Sequence, residues 1–238
     1  MQENSNNERK IRVGMVLFPN LTQLDLTGPH EVLSFPPPIE VDLLWHRLEP
    51  VTSISGFVLT PTATFDDYDA PDVLFIPGGP GQLQAMDDEK LIAFVKRAGE
   101  SAEFITSVCT GSLVLAAAGL LIGKRATSHW SVVDQLALMG AEPVRERVVE
   151  DGNIITGAGV TAGIDFALTL VARLISEDVA KNIQLGIEYD PDPPFNSGSI
   201  ETADPDRVEL QKERGADLAE KRRTAAERIG RERLGLKL

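Results

Sequence analysis

The chain has one cysteine in 238 residues. That excludes an internal disulfide framework, fits a reducing, cytoplasmic setting, and leaves Cys109 as a free thiol whose use must lie in reactivity or packing. No apolar run reaches the roughly 18 residues of a membrane span, and the leader "MQENSNNERK" lacks the apolar core of a signal peptide. No membrane partner is expected. Aromatic residues make up 5 % of the chain and form no stacking pattern, and the net charge of −13 repels phosphate backbones, so nucleic acid is not an expected partner either. Imidazoles are scarce as well, with only His30, His46 and His129.

What remains is ordinary globular usage, 42 % hydrophobic and 25 % charged, in a length suited to one sizeable α/β domain. "IRVGMVLF" from Ile11 is a nearly continuous apolar run ended by Pro19, as in a parallel strand buried on both faces. "GPHEVLSF" reads as a short helix with Thr27 as N-cap and Pro29 in its first turn. "IEVDLLW" and "FVLTPTATF" read as strands about a Ser55-Gly56 turn, and "DVLFI" as another strand running into "PGGPG". "DDEKLIAFVKRAGE" is an amphipathic helix with Leu91, Phe94 and Val95 on one face. "RATSHW" reads as a strand, "SVVDQLALMG" as a helix from Ser131 to Gly140, and "PVRERVVEDGNIIT" as a hairpin turning on Asp151-Gly152. Two further helices follow, "TAGIDFALTLVARLI" and "SEDVAKNIQLGIEY", the second capped by Ser176. Alternating strands and helices predict an open, mostly parallel sheet covered on both faces.

The charge is unevenly spread. Arg207 to Arg233 holds nine basic and six acidic residues and Lys237 adds one, so residues 1–206 carry −17. The expected organisation is a frayed leader (1–10), an α/β body (11–190), a Pro-rich linker (191–206) and a charged helix (207–238). Its thin seam of Val208, Leu218, Ala225 and Ile229 needs the body or a dimer partner to pack on.

The cysteine lies in "EFITSVCTGSLVLAAAGLL", between a β-branched strand and a small-residue helix, with Gly111 two residues on to permit a sharp turn. That is the form of a nucleophile elbow at the carboxyl edge of a sheet. A helix N-terminus there would favour thiolate and lower the thiol's pKa, although a buried, inert cysteine has the same local sequence. A thiolate needs a proton carrier. His129, at the end of the next strand, is one candidate, and a structural histidine beside Trp130 is the alternative. Asp25, seven residues past the first strand, is another: burial beside a thiolate would raise a carboxyl's pKa towards neutrality, although it could equally be a helix cap.

Two glycine-rich loops accompany these residues. "PGGPG" (77–81) could aim backbone N–H groups at developing negative charge. "GAGVTAG" (157–163) opens a helix, but its glycine spacing is wrong for a dinucleotide loop. The helix beginning near Val160 should start on the same sheet edge as Cys109, so that a backbone N–H there can donate to the sulfur.

In that order "LDLTGPHEVL", "IPGGPG", "SVCTGSLVLAAAGLL", "KRATSHW" and "GVTAGIDFALTLVARL" resemble the landmarks of the ThiJ/PfpI superfamily, relatives of the class I glutamine amidotransferase fold. "QLGIEYDPDPPFNSGS" is similar to its isocyanide-hydrating members. The resemblance implies a flavodoxin-like sheet, a homodimer, Cys109 as nucleophile and Asp25 as its acidic partner. It further implies hydration of a small-molecule isocyanide to an N-substituted formamide through a cysteine thioimidate, with neither metal nor organic cofactor. Thr110 is expected to hold the Asp25 carboxyl or the thiolate, and Gly78 and Gly79 to line the pocket. Departures narrow the choice. No histidine follows His129, as glutamine hydrolysis requires, and Thr110 stands where peptidase-like relatives carry histidine. Asp25 stands where many relatives carry glutamate. The 33 residues after Pro205 are too few for the DNA-binding domain of the family's regulators. The alternative reading is a cysteine-based oxidative-stress sensor or regulatory domain without turnover.

Overall fold

The run from Ile11 becomes β1 (Ile11–Val16), whose last four residues are buried. It lies inside the sheet, as its lack of polar alternation demands. The computed structural model describes residues 9–237, so most of the expected leader falls outside the described residues. After β1 come β2 (Ile39–Trp45), β3 (Val51–Thr52), β4 (Val58–Leu59), β5 (Ala63–Thr64), β6 (Val73–Ile76) and β7 (Phe104–Val108). The strands β8 (Arg125–Ala126), β9 (Glu142–Pro143), β10 (Val148–Asp151) and β11 (Ile154–Gly157) complete the set. Seven form one sheet in the order β10-β11-β7-β6-β1-β2-β5, parallel except for the β10–β11 hairpin. The flavodoxin-like architecture is therefore present.

Helices α1 (Gln23–Leu33), α5 (Ala162–Leu174) and α6 (Glu177–Gly186) pack together. So do α2 (Gln82–Ala85), α3 (Glu89–Ser101), α4 (Gly111–Ala117) and α7 (Pro205–Arg228), with a 3-10 helix at Val133–Met139 among them. Local chemistry accounts for several boundaries. Asp88 caps α3 through the Leu91 N–H, and Ser176 caps α6 through the Val179 N–H. Leu91, Phe94 and Val95 form the buried face of α3.

Several elements differ from the sequence reading, each for an identifiable reason. Helix α1 begins four residues before Thr27, and Pro29 sits inside it, packed so closely on α5 that a Cβ at Gly163 would lie 3.1 Å from its ring. Asp25 is thus in the first helical turn. "FVLTPTATF" is no single strand: Pro61 separates β4 from β5, which lie in different sheets. "RATSHW" is strand only at Arg125–Ala126, because Thr127 and Ser128 turn away to bond the Thr156 hydroxyl and the Cys109 carbonyl. Ser131 does not cap the next helix: its hydroxyl is taken by His129 Nδ1 at 2.8 Å, and a 3-10 helix follows. Gly140, with φ 86°, does end it. The hairpin turns on Gly152-Asn153, one residue later than read. Helix α7 starts at Pro205, two residues early, and its Ala225, Ala226 and Ile229 are buried.

Candidate active site

Four parallel strands, β1, β6, β7 and β11, end along one edge, and the loops after them converge there. Cys109 follows β7 at once with φ 54°, the left-handed region that a non-glycine residue adopts only when held. The holding contacts are specific. Its N–H donates to the carbonyls of Gly157 (3.0 Å) and Ala158 (2.9 Å), and its carbonyl accepts from the hydroxyls of Ser128 (2.9 Å) and Ser112 (3.3 Å). Gly111 permits the turn, since a Cβ there would fall 2.2 Å from the Ile76 carbonyl oxygen. The expected elbow is formed, and Ser128 and Ser112, which sequence reasoning passed over, are its braces.

Asp25 is fully buried. Gly78 brings it to the thiol: the place a Cβ would occupy at Gly78 lies 2.7 Å from Cys109 Cβ, 2.8 Å from Asp25 Oδ2 and 2.6 Å from the Thr110 nitrogen. Only a residue without a side chain lets acid, nucleophile and elbow amide meet. The Gly78 carbonyl accepts from the Thr22 N–H at 2.9 Å, fixing the start of α1 and hence Asp25 against this loop. Cys109 Sγ and the Gly78 N–H face the Asp25 carboxyl, yet neither reaches full hydrogen-bond geometry, so both carboxyl oxygens are buried without a partner. A buried carboxyl without donors favours its neutral form.

The electrostatics follow. Burial pushes Asp25 up from 3.8 to about 7, against weaker opposing pulls from Cys109 and the Gly78 amide. Burial, then the Asp25 charge, pushes the Cys109 thiol up as well, while the amides of Thr110 and Val160 pull it down. The expectation of a lowered thiol pKa is therefore corrected: the amides at the helix start are present, but desolvation outweighs them. Two acids this close share their ionisation, and above about pH 7 the pair carries one negative charge and one proton.

Gly78, Thr110 and Val160 thus meet Asp25 and Cys109, though not all in the expected roles. The Thr110 hydroxyl bonds the Gly79 backbone, accepting from its N–H at 3.0 Å and facing its carbonyl at 3.2 Å, rather than Asp25 or the sulfur. It is the Thr110 amide that faces Sγ. The Val160 amide faces Sγ as well, without full hydrogen-bond geometry, and α5 itself begins two residues later. His129 stands to one side, its hydrogen bonds going to Ser131, its ring against Gly159, and its pKa lowered by burial and by the charge of Arg222. Among the described residues no hydrogen bond joins its ring to Cys109 or Asp25. Arg222 of α7 reaches the back of the Gly79 loop and was not found from sequence.

Comparison with known proteins fits this geometry. The DJ-1/PfpI family model matches residues 11–173. The chain belongs to the DJ-1/PfpI family. Within that family it is 50 % identical over 218 residues, 92 % of this chain and 96 % of the relative, to isonitrile hydratase of Pseudomonas putida. It is 30 % identical to protein DJ-1alpha of Drosophila melanogaster, over 71 % of this chain and 80 % of that protein. The crystal structure of a ThiJ/PfpI family protein from Pseudomonas syringae superposes with TM-score 0.90 at 46 % identity, covering 91 % of this chain and 90 % of that one. Among the described residues no helix is long and apolar enough to cross a membrane.

Proposed function

We propose that this family member hydrates an isocyanide to the N-substituted formamide, with Cys109 as nucleophile and Asp25 as proton carrier. The observation that carries the reading is the buried carboxyl, with no hydrogen-bond partner, set against the elbow thiol and titrating near 7. The isonitrile hydratase relative at 50 % identity supports the substrate class. In the reactive form of the pair the sulfur is ionised and Asp25 holds the proton. Sulfur attacks the terminal isocyanide carbon while Asp25 protonates that same carbon, giving the thioimidate R–N=CH–S–Cys. The Asp25 carboxylate then takes a proton from water as the hydroxide adds to the carbon, and passes it to nitrogen. Collapse expels sulfur, which leaves with the hydroxyl proton, and R–NH–CHO departs. The sum is one isocyanide and one water consumed, with no external reductant or oxidant. The amides of Thr110 and Val160 hold the sulfur while it is charged.

The oxidative-sensor alternative fits less well. Sensor thiols are exposed and low in pKa, whereas Cys109 is 5 % exposed and pushed up by burial. The same reading takes residues 11–190 as the catalytic body, 191–204 as a linker and the protein as a homodimer, which sedimentation would test. The deciding experiment is incubation with cyclohexyl isocyanide while the formamide is followed. Turnover by the native protein and none by Cys109→Ser is expected; turnover by the serine variant would overturn the covalent mechanism.

A further inference from the structure

The C-terminal helix carries an anomaly. Most cations of this segment are exposed and paired, as Lys221 is with Asp217 and Arg228 with Asp87. Arg222 is 7 % exposed, and among the described residues no carboxylate comes within salt-bridge distance of it. Its guanidinium is held only by neutral groups, Nε–H donating to Gln82 Oε1 at 2.8 Å and Nη2–H to the Gly79 carbonyl at 3.1 Å. A buried cation without a counter-ion is costly, and two neutral acceptors do not remove its charge.

The Cys109–Asp25 pair lies on the other side of the same loop. Gly79, whose carbonyl receives the guanidinium, is bonded to the Thr110 hydroxyl and follows Gly78, which touches both Cys109 and Asp25. We propose that Arg222 is a positioning residue whose charge is balanced by the single negative charge of the Cys109–Asp25 pair, so that α7 stabilises the ionised nucleophile from behind the Gly79 loop.

The groups facing Arg222 can be named element by element. From the elbow comes Cys109, whose negative charge raises the arginine's pKa against the lowering effect of burial. From α2 comes the neutral Gln82, while Asp25 of α1 lies beyond Gly78, against Cys109. His129 faces it across a cavity of about 360 Å³, and the arginine's charge helps to keep that ring neutral. From α7 itself Lys212 and Arg214 line the same cavity, adding positive charge of the same sense. Among these only Cys109 supplies negative charge, which it shares with Asp25.

The inference deepens the proposed hydration chemistry, but it concerns ionisation of Cys109 and can be tested without turnover. Because the chain has one cysteine, its alkylation by iodoacetamide, a neutral reagent, reports the nucleophile alone across pH. Arg222→Gln keeps polar contacts and removes the charge. Its alkylation midpoint should rise by about one pH unit, with a rate at pH 7 about tenfold lower. Arg222→Lys, which keeps the charge, should hold the midpoint near the native value even if its melting temperature falls. An unchanged midpoint in the glutamine variant, or an equal shift in the lysine variant, would overturn the proposal. Should the glutamine variant not fold, Gln82→Met removes one support of the guanidinium and should raise the midpoint by a smaller amount; no shift there would overturn it equally. Native protein that alkylates as described yet forms no formamide would refute the hydratase reading and leave Arg222 in its role.

Discussion

Replacing Asp25 by asparagine should stop turnover and at the same time stabilise the fold, with an increment that depends on pH. In the folded protein burial raises this carboxyl from 3.8 to about 7. A raised carboxyl contributes its full share below the unfolded value and loses it as pH climbs through the folded one, because unfolding then releases a proton. The window is therefore from about pH 4 to about pH 7, and stability falls across it. At about 1.36 kcal/mol for each pH unit, the rise from 3.8 to about 7 amounts to about 4 kcal/mol, an upper figure for a group so closely coupled to its neighbour. Asparagine mimics the neutral acid and is indifferent to pH. Near pH 4 the two proteins should unfold at similar denaturant concentrations, and by pH 8 the asparagine variant should be the more stable by up to that amount. Urea melts at pH 4, 6 and 8, run beside formamide production, read both effects. A stability difference that stays constant across that range would mean that Asp25 ionises as an ordinary carboxyl, and the case for it as proton carrier would fail.

Two other substitutions test the frame around the pair. Gly78→Ala places a methyl group under 3 Å from Cys109 Cβ, Asp25 Oδ2 and the Thr110 nitrogen, so turnover should fall by about a hundredfold and stability by about 1–3 kcal/mol; near-native kinetics would show that these groups need not stay in contact. Ile229→Ala, at a fully buried position of the C-terminal segment, should cost about 2–5 kcal/mol in denaturant unfolding, and a loss below about 0.5 kcal/mol would mean the segment is not docked in solution.

The centre of this fold was legible because local and long-range preferences agree there. β1, β6 and β7 are short apolar runs that can only be buried, and β7 gives way to small residues at the one place where the chain must turn sharply. The elbow could be read for that reason, and Asp25 became a candidate from its distance past the first strand. Legibility failed where tertiary contacts override a local signal. Pro29 reads as a helix start, but α5 packs on it and the helix runs through. Ser131 reads as a cap, but His129 takes its hydroxyl. Ser128 carries no sequence signature at all; its role exists only because the chain after β8 passes the Cys109 carbonyl.

Arg222 is the more instructive omission. In a helix where charge is the rule, one more arginine reads as solvated surface. Its spacing says otherwise: Leu218, Arg222, Ala225 and Ile229 fall at intervals of four, three and four, the stripe that packs inward. A cation on an apolar stripe is either an error of register or a group with a destination. Here the destination is the Gly79 loop behind the Cys109 elbow. Placing negative charge on a buried sulfur is unfavourable in proportion to its desolvation, and backbone amides alone do not reverse the upward push on Cys109. On the proposal above, the Arg222 cation behind the Gly78-Gly79 loop offsets part of that cost without donating a proton. On the proposed mechanism Asp25 then carries the proton, and Arg222 would set how readily the sulfur gives it up.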